Sequence, residues 1–327
     1  MKLIIVTGQT ATGKTKLALE YARKLNGELV NFDSRQIYKH LNIITGKDLD
    51  LIKRSTFHVS CSMFHVPCSA QIWLYDVVDP KQYFSSFDFV KVAIPVIKKI
   101  LKQGKTPILV GGTYFYLYHL LYDVPTQNIK PDWKLRNELN KKSVSELQNM
   151  LKKLYGDNFD LSINRSDFNN PRRLIRKIEI EEYNKRHPEL VSGSDSKSGF
   201  RIPLRSEASK FGMTSALAKK LEIKDLRIDF LGLKFKARIN LVGSIKRRVE
   251  ARLKMGAVEE VKTLLKKGYT ENDPGMKTIG YQQIIAYLKG RLTKQEAIDQ
   301  WVAKEIQYAK RQYTFMKKDR NIKWRRV

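Results

Sequence analysis

Residues 8–15 give the clearest chemical signal in the chain. They follow an apolar run, residues 3–6, and precede a segment whose apolar residues recur with helical spacing. Glycines permit a tight turn in which successive N–H groups converge on phosphate oxygens, at the positive end of the next helix. The pattern G-x-x-x-x-G-K-[ST] therefore predicts a phosphate-binding loop, and an ordinary strand-to-helix turn is the alternative. The loop consists of Gly8, Gln9, Thr10, Ala11, Thr12, Gly13, Lys14 and Thr15.

Two side chains of this loop suggest what it binds. Lys14 offers a point charge to a phosphate group, and the hydroxyl of Thr15 suits a phosphate-bound Mg²⁺.

A carboxylate, Asp33, follows the next apolar run, residues 28–32. Ligands of open parallel sheets bind beyond the carboxyl ends of the strands, so Asp33 is predicted at the same rim as the loop. Taken alone, Asp33 is better explained as the N-cap of a helix.

A second constellation lies in the repeat FHVSCS-M-FHVPCS at 57–69. It aligns His58, Cys61, His65 and Cys68. Two His and two Cys side chains can bind zinc with tetrahedral geometry. The plainer interpretation is a short duplication in a surface loop, and the sequence favours it, because all four candidates sit in one short segment.

The elements around the loop predict a parallel sheet. Residues 71–80 and 106–110 read as strands, and residues 87–103 read as a helix that Gly104 ends. Strand, helix and strand in this order form a βαβ unit. We therefore predict an α/β fold, with a P-loop NTPase-like parallel sheet flanked by helices.

The character of the chain changes near residue 125. We predict a first core segment 1–124, an inserted and mostly helical domain 125–225, and a second core segment 226–327 that ends in basic helices. Helix starts are expected at Ser143 with Glu146, and at Asn170 before Pro171. Residues 188–215, rich in Ser, Gly and Lys, are expected to form a mobile loop. A strand at 230–235 and helices at 241–267 and 296–318 follow.

Charge points to a polyanionic partner. The chain has 62 Lys and Arg against 33 Asp and Glu, a formal net charge of +29. Nucleic acid is the simplest partner for such an excess; an anionic membrane surface and a generally basic proteome are the alternatives. No membrane-spanning run or signal-peptide layout is seen, and two cysteines make no disulfide framework. We expect a soluble, cytoplasmic and monomeric protein without a membrane partner.

Six motifs identify a family. They are GQTATGKT at 8–15, DSRQIY at 33–38, PILVGGT at 107–113, NPRRLIR at 170–176, TIGYQQ at 278–283 and AKRQYTF at 309–315. Through them residues 1–318 resemble the tRNA dimethylallyltransferases of the bacterial type. The resemblance implies transfer of a dimethylallyl group from dimethylallyl diphosphate, with Mg²⁺, to the exocyclic amine of the adenosine 3′ to the anticodon. The inserted domain and the core would grip the anticodon stem-loop of the tRNA.

The resemblance also implies roles for individual residues. Asp33 would be the general base, Thr113 would lie near the substrates, Arg248 would hold RNA or diphosphate, and the amide of Gln36 would read the adenine. The expected tRNA contacts are Asp33, Ser34, Arg35, Gln36, Arg172, Arg173, Arg176, Gly280 and Tyr281.

The chain departs from the family pattern at several places, among them Tyr114, Ser244 and Ile306. The first bears on the allylic pocket, and the other two replace arginines. Three alternatives stay open at this point: a P-loop kinase or NTPase, a non-catalytic RNA-binding module, and an enzyme that prenylates free adenine nucleotides. The DSRQIY motif and the large positive charge favour the tRNA enzyme over the kinase, and the basic inserted domain favours it over an enzyme of free nucleotides. A non-catalytic RNA-binding module would show no prenyl transfer.

Overall fold

The computed structural model describes residues 1–47, 56–57, 68–69, 72–124, 126, 129–156, 159, 163, 165–187 and 213–327. Three of the candidate zinc ligands, His58, Cys61 and His65, lie outside these residues, as does the predicted loop 188–215 up to residue 212. Cys68 belongs to a short antiparallel pair, formed by β3 (Thr56–Phe57) and β4 (Cys68–Ser69). No described helix is long and apolar enough to cross a membrane.

Six parallel strands form the main sheet in the order β5-β2-β6-β1-β7-β8. Their bounds are β1 Lys2–Gly8, β2 Gly27–Asn31, β5 Ile72–Trp73, β6 Thr106–Val110, β7 Arg227–Lys234 and β8 Lys323–Arg326. The strands β1, β2 and β6 are buried almost throughout, because their apolar runs are covered on both faces. The predicted fold class is confirmed.

Two strands differ from the prediction. The expected strand 71–80 contributes only β5, because the backbone turns into the left-handed region at Leu74 (φ 66°) and Asp76 (φ 56°). Strand β8 was assigned to basic C-terminal helices, since its sequence KWRR has no apolar alternation. The structure of β8 is decided by its pairing with β7. Nζ of Lys234 in β7 also lies 5.8 Å from the ring centroid of Trp324 in β8.

Helices from the two segments of the chain that form the sheet flank it. Their bounds are Lys14–Lys24, Ser86–Lys102, Tyr114–Leu121, Met213–Leu221, Arg238–Lys254, Ala257–Lys266, Tyr281–Leu288 and Lys294–Met316. The predicted long helix 241–267 is two helices, because Gly256 between them has φ 95° and interrupts the helical backbone. We call Arg238–Lys254 the arginine helix and Lys294–Met316 the last helix.

The chain divides into two compact units. One comprises Met1–Tyr122 with Gly212–Val327, and the other comprises Asp123–Phe211. The helices of the second unit are Trp133–Leu139, Val144–Tyr155, Arg165–Phe168 and Pro171–Arg186. The two predicted helix starts are confirmed by a capping box at Ser143 and by the N-cap Asn170.

The end of the inserted segment lies earlier than the predicted residue 225. The helix Met213–Leu221 belongs to the sheet-containing unit, because its Leu217 and Leu221 are buried there. The ammonium group of Lys220 also donates to the carbonyls of His119, Leu120 and Tyr122, at 3.0, 3.3 and 2.8 Å, and so caps the helix Tyr114–Leu121.

Candidate active site

The phosphate loop begins where β1 ends, at Gly8, and leads into the helix that starts at Lys14. A Cβ atom at Gly8 would lie 2.1 Å from the carbonyl oxygen of Leu233, and its φ of 133° is one that only glycine adopts readily. Only glycine therefore fits at the start of the loop, because β7 lies so close to it. The sequence prediction of strand, tight loop and helix is confirmed.

Side chains from distant parts of the chain hold the loop in place. The N–H of Thr10 donates to Oε1 of Gln312 at 3.0 Å, and Nε2 of Gln312 donates to the carbonyl of Gly112 at 2.9 Å. Gln9 accepts the N–H of Phe235 through Oε1 at 3.1 Å. The buried Gln312 thus joins the phosphate loop to the end of β6, a role that sequence reasoning did not find.

Asp33 follows β2 in a turn that orients its carboxylate. Its Oδ1 accepts the N–H of Arg35 at 3.0 Å, and its own N–H donates to Oδ1 of Asn31 at 3.0 Å. The hydroxyl oxygen of Thr113 accepts the N–H of Ser34 at 3.0 Å. The same oxygen lies 3.0 Å from the hydroxyl oxygen of Ser34. The predicted pair Asp33 and Thr113 is therefore brought together through the turn, at the carboxyl edge of neighbouring strands.

Gln36 is engaged with a second loop, residues 41–47. Its Nε2 donates to the carbonyls of Gly46 at 2.7 Å and Thr45 at 3.3 Å. Within this loop Lys47 is buried and bonds Tyr38, Asn42 and Asp76. The amide nitrogen predicted to read a base therefore holds a loop of the protein itself.

Glu260 anchors the same loop from the helix Ala257–Lys266. Its carboxylate accepts the N–H groups of Asn42, Ile43 and Ile44, at 3.0, 2.6 and 3.3 Å, and also the hydroxyl of Tyr281. Burial, together with the charge of Glu260, raises the pKa of Tyr281 well above its usual value.

The predicted tRNA contacts Gly280 and Tyr281 need correction. Tyr281 is 0% exposed, and a Cβ at Gly280 would lie 2.4 Å from Ile44 and 2.8 Å from Trp301. Neither residue is at the surface. The motif TIGYQQ instead supports the loop that Gln36 bonds, and the resemblance indicated that the motif matters without indicating whether it is exposed.

Four arginines lie around the phosphate loop. Arg248 donates to the hydroxyl of Thr10. Arg252, one helical turn further along the arginine helix, is only 5% exposed, and sequence reasoning missed it. A Cβ at Gly46 would lie 2.6 Å from Nη2 of Arg248 and 2.3 Å from Nη2 of Arg252, so both guanidinium groups pack on this glycine. The others are Arg35 and Arg247.

Two residues of the last helix complete this group, and the sequence analysis found neither. Oε1 of Glu305 lies 3.8 Å from Nη1 of Arg35 and 3.8 Å from Nη1 of Arg252. The guanidinium of Arg35 stacks 4.0 Å over the ring of Tyr308. Burial and the nearby charge of Asp33 raise the pKa of the Tyr308 hydroxyl.

A cavity of about 440 Å³ lies between these groups. Six cationic side chains and two carboxylates line it. They are Lys14, Lys16, Arg35, Arg247, Arg248 and Arg252, with Asp33 and Glu305. Such a cavity suits a multiply charged anion with a carboxylate beside it, because six cationic side chains line one space.

The donor set around the cavity fits a magnesium ion that is bound mainly through phosphate. No cluster of three or more His, Cys, Asp or Glu residues that could hold a metal occurs among the described residues. The hydroxyl of Thr15 and the carboxylate of Asp33 line the same cavity. Mg²⁺ typically binds one or two protein oxygens together with phosphate oxygens and water, which this set can provide.

The predicted RNA contacts of the inserted unit have mixed surroundings. Arg172 is exposed, and Arg173 pairs with Asp167 at 2.5 Å. Arg176 bonds the buried Glu179 and donates to the carbonyls of Thr126 at 3.4 Å and Ile129 at 3.0 Å. Arg176 is therefore a structural residue of this unit, because the carboxylate and the two carbonyls use its guanidinium.

The fold and the loop define the protein as a P-loop α/β protein with a cavity lined by cationic side chains at the carboxyl edge of its sheet. A family model described as IPP transferase matches residues 36–319. The chain belongs to the IPP transferase family.

Relatives over the full length agree with this assignment. A tRNA dimethylallyltransferase of Acetivibrio thermocellus is 31% identical over 98% of this chain and 90% of its own length. The structure of a tRNA isopentenylpyrophosphate transferase from Bacillus halodurans matches with a TM-score of 0.62 and 28% identity, over 99% of this chain and 89% of the other. A tRNA isopentenylpyrophosphate transferase from Staphylococcus epidermidis matches with 0.62 and 26%, over 99% and 92%.

Proposed function

We propose that the protein transfers the dimethylallyl group of dimethylallyl diphosphate to the exocyclic amine of an adenosine in tRNA, the one 3′ to the anticodon. One observation supports this most directly: Asp33 lines the same cavity as the phosphate loop. The loop serves the leaving diphosphate, and the carboxylate serves the attacking amine. The family assignment and the names of the relatives support the choice of substrates.

The leaving group is stabilised on the loop side of the cavity. When the allylic carbon–oxygen bond breaks, negative charge develops on the diphosphate, and the loop N–H groups, Lys14 and Arg248 are in place to stabilise it. The hydroxyl of Thr15 would hold a phosphate-bound Mg²⁺, and that ion would further neutralise the developing charge. Arg248 is already placed by its bond to Thr10, so little reorganisation is needed.

The nucleophile is activated on the Asp33 side. A new carbon–nitrogen bond forms between the allylic carbon and the exocyclic amine, and the amine proton passes to the carboxylate of Asp33. Oδ1 of Asp33 already accepts the N–H of Arg35. The other carboxylate oxygen, Oδ2, lies beside Gly112, where a Cβ atom would be 3.4 Å away from it. We assign the proton to Oδ2. Thr113 fixes the turn through Ser34 and so positions the base.

The RNA partner fits the charge of the chain. A net charge of +29 suits a substrate with a phosphodiester backbone, and Arg172 and Arg173 of the inserted unit are candidates for backbone contacts. The target base must leave the stack to reach a cavity at the edge of the sheet, as for other enzymes that modify a base.

The test uses purified protein with labelled dimethylallyl diphosphate, Mg²⁺ and unmodified tRNA. We expect label in tRNA, and we expect none when the adenosine 3′ to the anticodon is replaced by guanosine. Label in AMP or ATP, with none in tRNA, would contradict the proposal. So would hydrolysis of ATP or transfer of its γ-phosphate without prenylation, because a kinase shares the loop but not the alkylation.

A further inference from the structure

A second recess lies beside the active-site cavity, at the start of the arginine helix. It measures about 600 Å³ and shares two lining residues, Ser244 and Arg247, with that cavity. Apolar side chains line it too, among them Phe235 and Ile239, and Ile239 is 74% exposed. We call this space the side recess. It is a basic and apolar space that adjoins the active-site cavity.

The sheet brings further positive charge to the same place. Parallel strands β7 and β8 pair Leu233 with Arg325 and Lys234 with Arg326, so their carboxyl ends share one edge with the phosphate loop. Residues 230–249 and 320–327 contain no Asp or Glu. Four exposed cationic residues form what we call the basic rim. They are Lys236, Arg238, Arg325 and Arg326.

This combination is typical of sites that bind unpaired RNA. Single-stranded RNA binds where aromatic or apolar groups contact the bases and cations follow the backbone. When a base enters the cavity, the adjacent nucleotides of the RNA must lie near the opening of the cavity, because they are covalently linked to it. A space that adjoins the cavity through Ser244 and Arg247 is therefore where a neighbouring nucleotide arrives.

We propose that the side recess binds the nucleotide next to the reacting adenosine, with its base against Phe235 and Ile239 and its phosphate at Lys246 and Arg247. The RNA backbone then continues over the basic rim. The inference rests on the proposed function for the identity of the RNA. It adds a binding surface within the sheet-containing unit that the inserted unit does not supply.

The test compares matched variants in binding of unmodified tRNA and, separately, of inorganic diphosphate. Ile239→Asp places a negative charge in the side recess, and Met255→Asp is its control, since Met255 is exposed (57%) beyond the end of the same helix. Arg325→Glu/Arg326→Glu reverses the basic rim. Its control is Lys266→Glu/Lys267→Glu, on the exposed end of another helix.

We expect both test variants to raise the Kd for tRNA about tenfold or more at moderate salt, with the Kd for inorganic diphosphate unchanged. For the rim variant, the slope of log affinity for tRNA against log salt concentration should also fall in magnitude by about 2. The controls should bind tRNA like the unaltered protein, apart from the general effect of charge.

Three results would overturn the inference. The first is tRNA affinity equal to that of the controls. The second is a parallel loss of inorganic diphosphate binding, which would mean damage to the cavity. The third is loss of binding to anionic phosphatidylglycerol vesicles with tRNA binding intact, which would make the rim a membrane surface. Failure of prenyl transfer by the unaltered protein would refute the proposed function instead, and tRNA binding can still be measured in that case.

Discussion

The backbone N–H of Thr10 in the phosphate loop donates to the side chain of Gln312, a residue of the last helix, at 3.0 Å. Nε2 of the Gln312 side chain in turn donates to the carbonyl of Gly112 at 2.9 Å. One buried side chain thereby fixes the loop relative to Gly112, where a Cβ would lie 3.4 Å from Oδ2 of Asp33. Gln312 therefore fixes the phosphate loop relative to Asp33 through its bonds to Thr10 and Gly112.

Replacement of Gln312 should disturb this arrangement. Gln312→Met keeps the volume but leaves the N–H of Thr10 and the carbonyl of Gly112 without their partner, at a cost of about 1–3 kcal/mol for each buried group. We expect the KM for dimethylallyl diphosphate to rise about tenfold, since the loop loses its fixed geometry. Steady-state kinetics with Gln307→Met, an exposed neighbour on the same helix, as control would check this. Equal kinetics of the two variants would refute it.

Glu305 should act as a counter-charge within the anion site. Its carboxylate lies 3.8 Å from guanidinium nitrogens of both Arg35 and Arg252, so it would compete for them with a bound diphosphate. Glu305→Gln should therefore bind inorganic diphosphate about five- to tenfold more tightly and release it more slowly. Calorimetry with Asp299→Asn, an exposed carboxylate of the same helix, as control measures the effect. Weaker or unchanged binding would mean that Glu305 only supports the fold.

Gly46 should set the position of two arginines. It has φ 67°, and a Cβ there would lie 2.3 Å from Arg252 and 2.6 Å from Arg248. Gly46→Ala should push both guanidinium groups aside and raise the Kd for inorganic diphosphate about tenfold. Gly290→Ala is the control, because Gly290 has φ 69° with nothing within 4 Å and so shares the backbone strain alone. If both variants bind diphosphate equally, the packing argument fails.

The inserted unit should lose stability in acid through Glu179. Burial raises the pKa of this carboxyl, but bonds from Arg136, Arg176 and the N–H of Asp132 outweigh burial and lower the pKa below 4.5. Its contribution is therefore present above pH 4.5, the pKa of the unfolded chain, and is lost as the pH falls through the lower folded value.

Glu179→Gln tests this at neutral pH, and breaking the buried pairs should cost about 3–5 kcal/mol. Hydrogen exchange in the helix Pro171–Arg186 measures it in the full chain, with the half-exposed Glu182→Gln as control. Protection at pH 7 that matches the control would show that the bonds to Glu179 contribute no net stability.

Sequence reasoning found the parts of the site that are local in the chain. The phosphate loop and Asp33 were predicted because strand, loop and helix follow one another within a few residues. Arg252 could have been found, since it lies four residues after Arg248 and hence on the same helical face. Gln312 and Glu305 could not be placed from spacing, because about 300 residues separate Gln312 from the loop that it holds (302 from Thr10).

The errors have physical causes as well. Motif resemblance marks positions that matter, but burial decides whether they can contact a ligand, as the fully buried Tyr281 shows. Periodicity continued through Gly256, so one helix was predicted where there are two. Strand β8 forms because β7 offers it a partner, and a four-residue basic segment has no signal of its own.

The central claim is that Asp33 removes the amine proton beside a loop that holds the diphosphate. The most direct measurement is the rate of dimethylallyl transfer to tRNA by Asp33→Asn, with nucleosides analysed by mass spectrometry and tRNA and inorganic diphosphate affinities measured in parallel. We predict a rate lowered about 10²- to 10⁴-fold, with both affinities within a few-fold of the unaltered protein. Transfer at an undiminished rate, or loss of tRNA binding that accounts for the whole defect, would contradict the account.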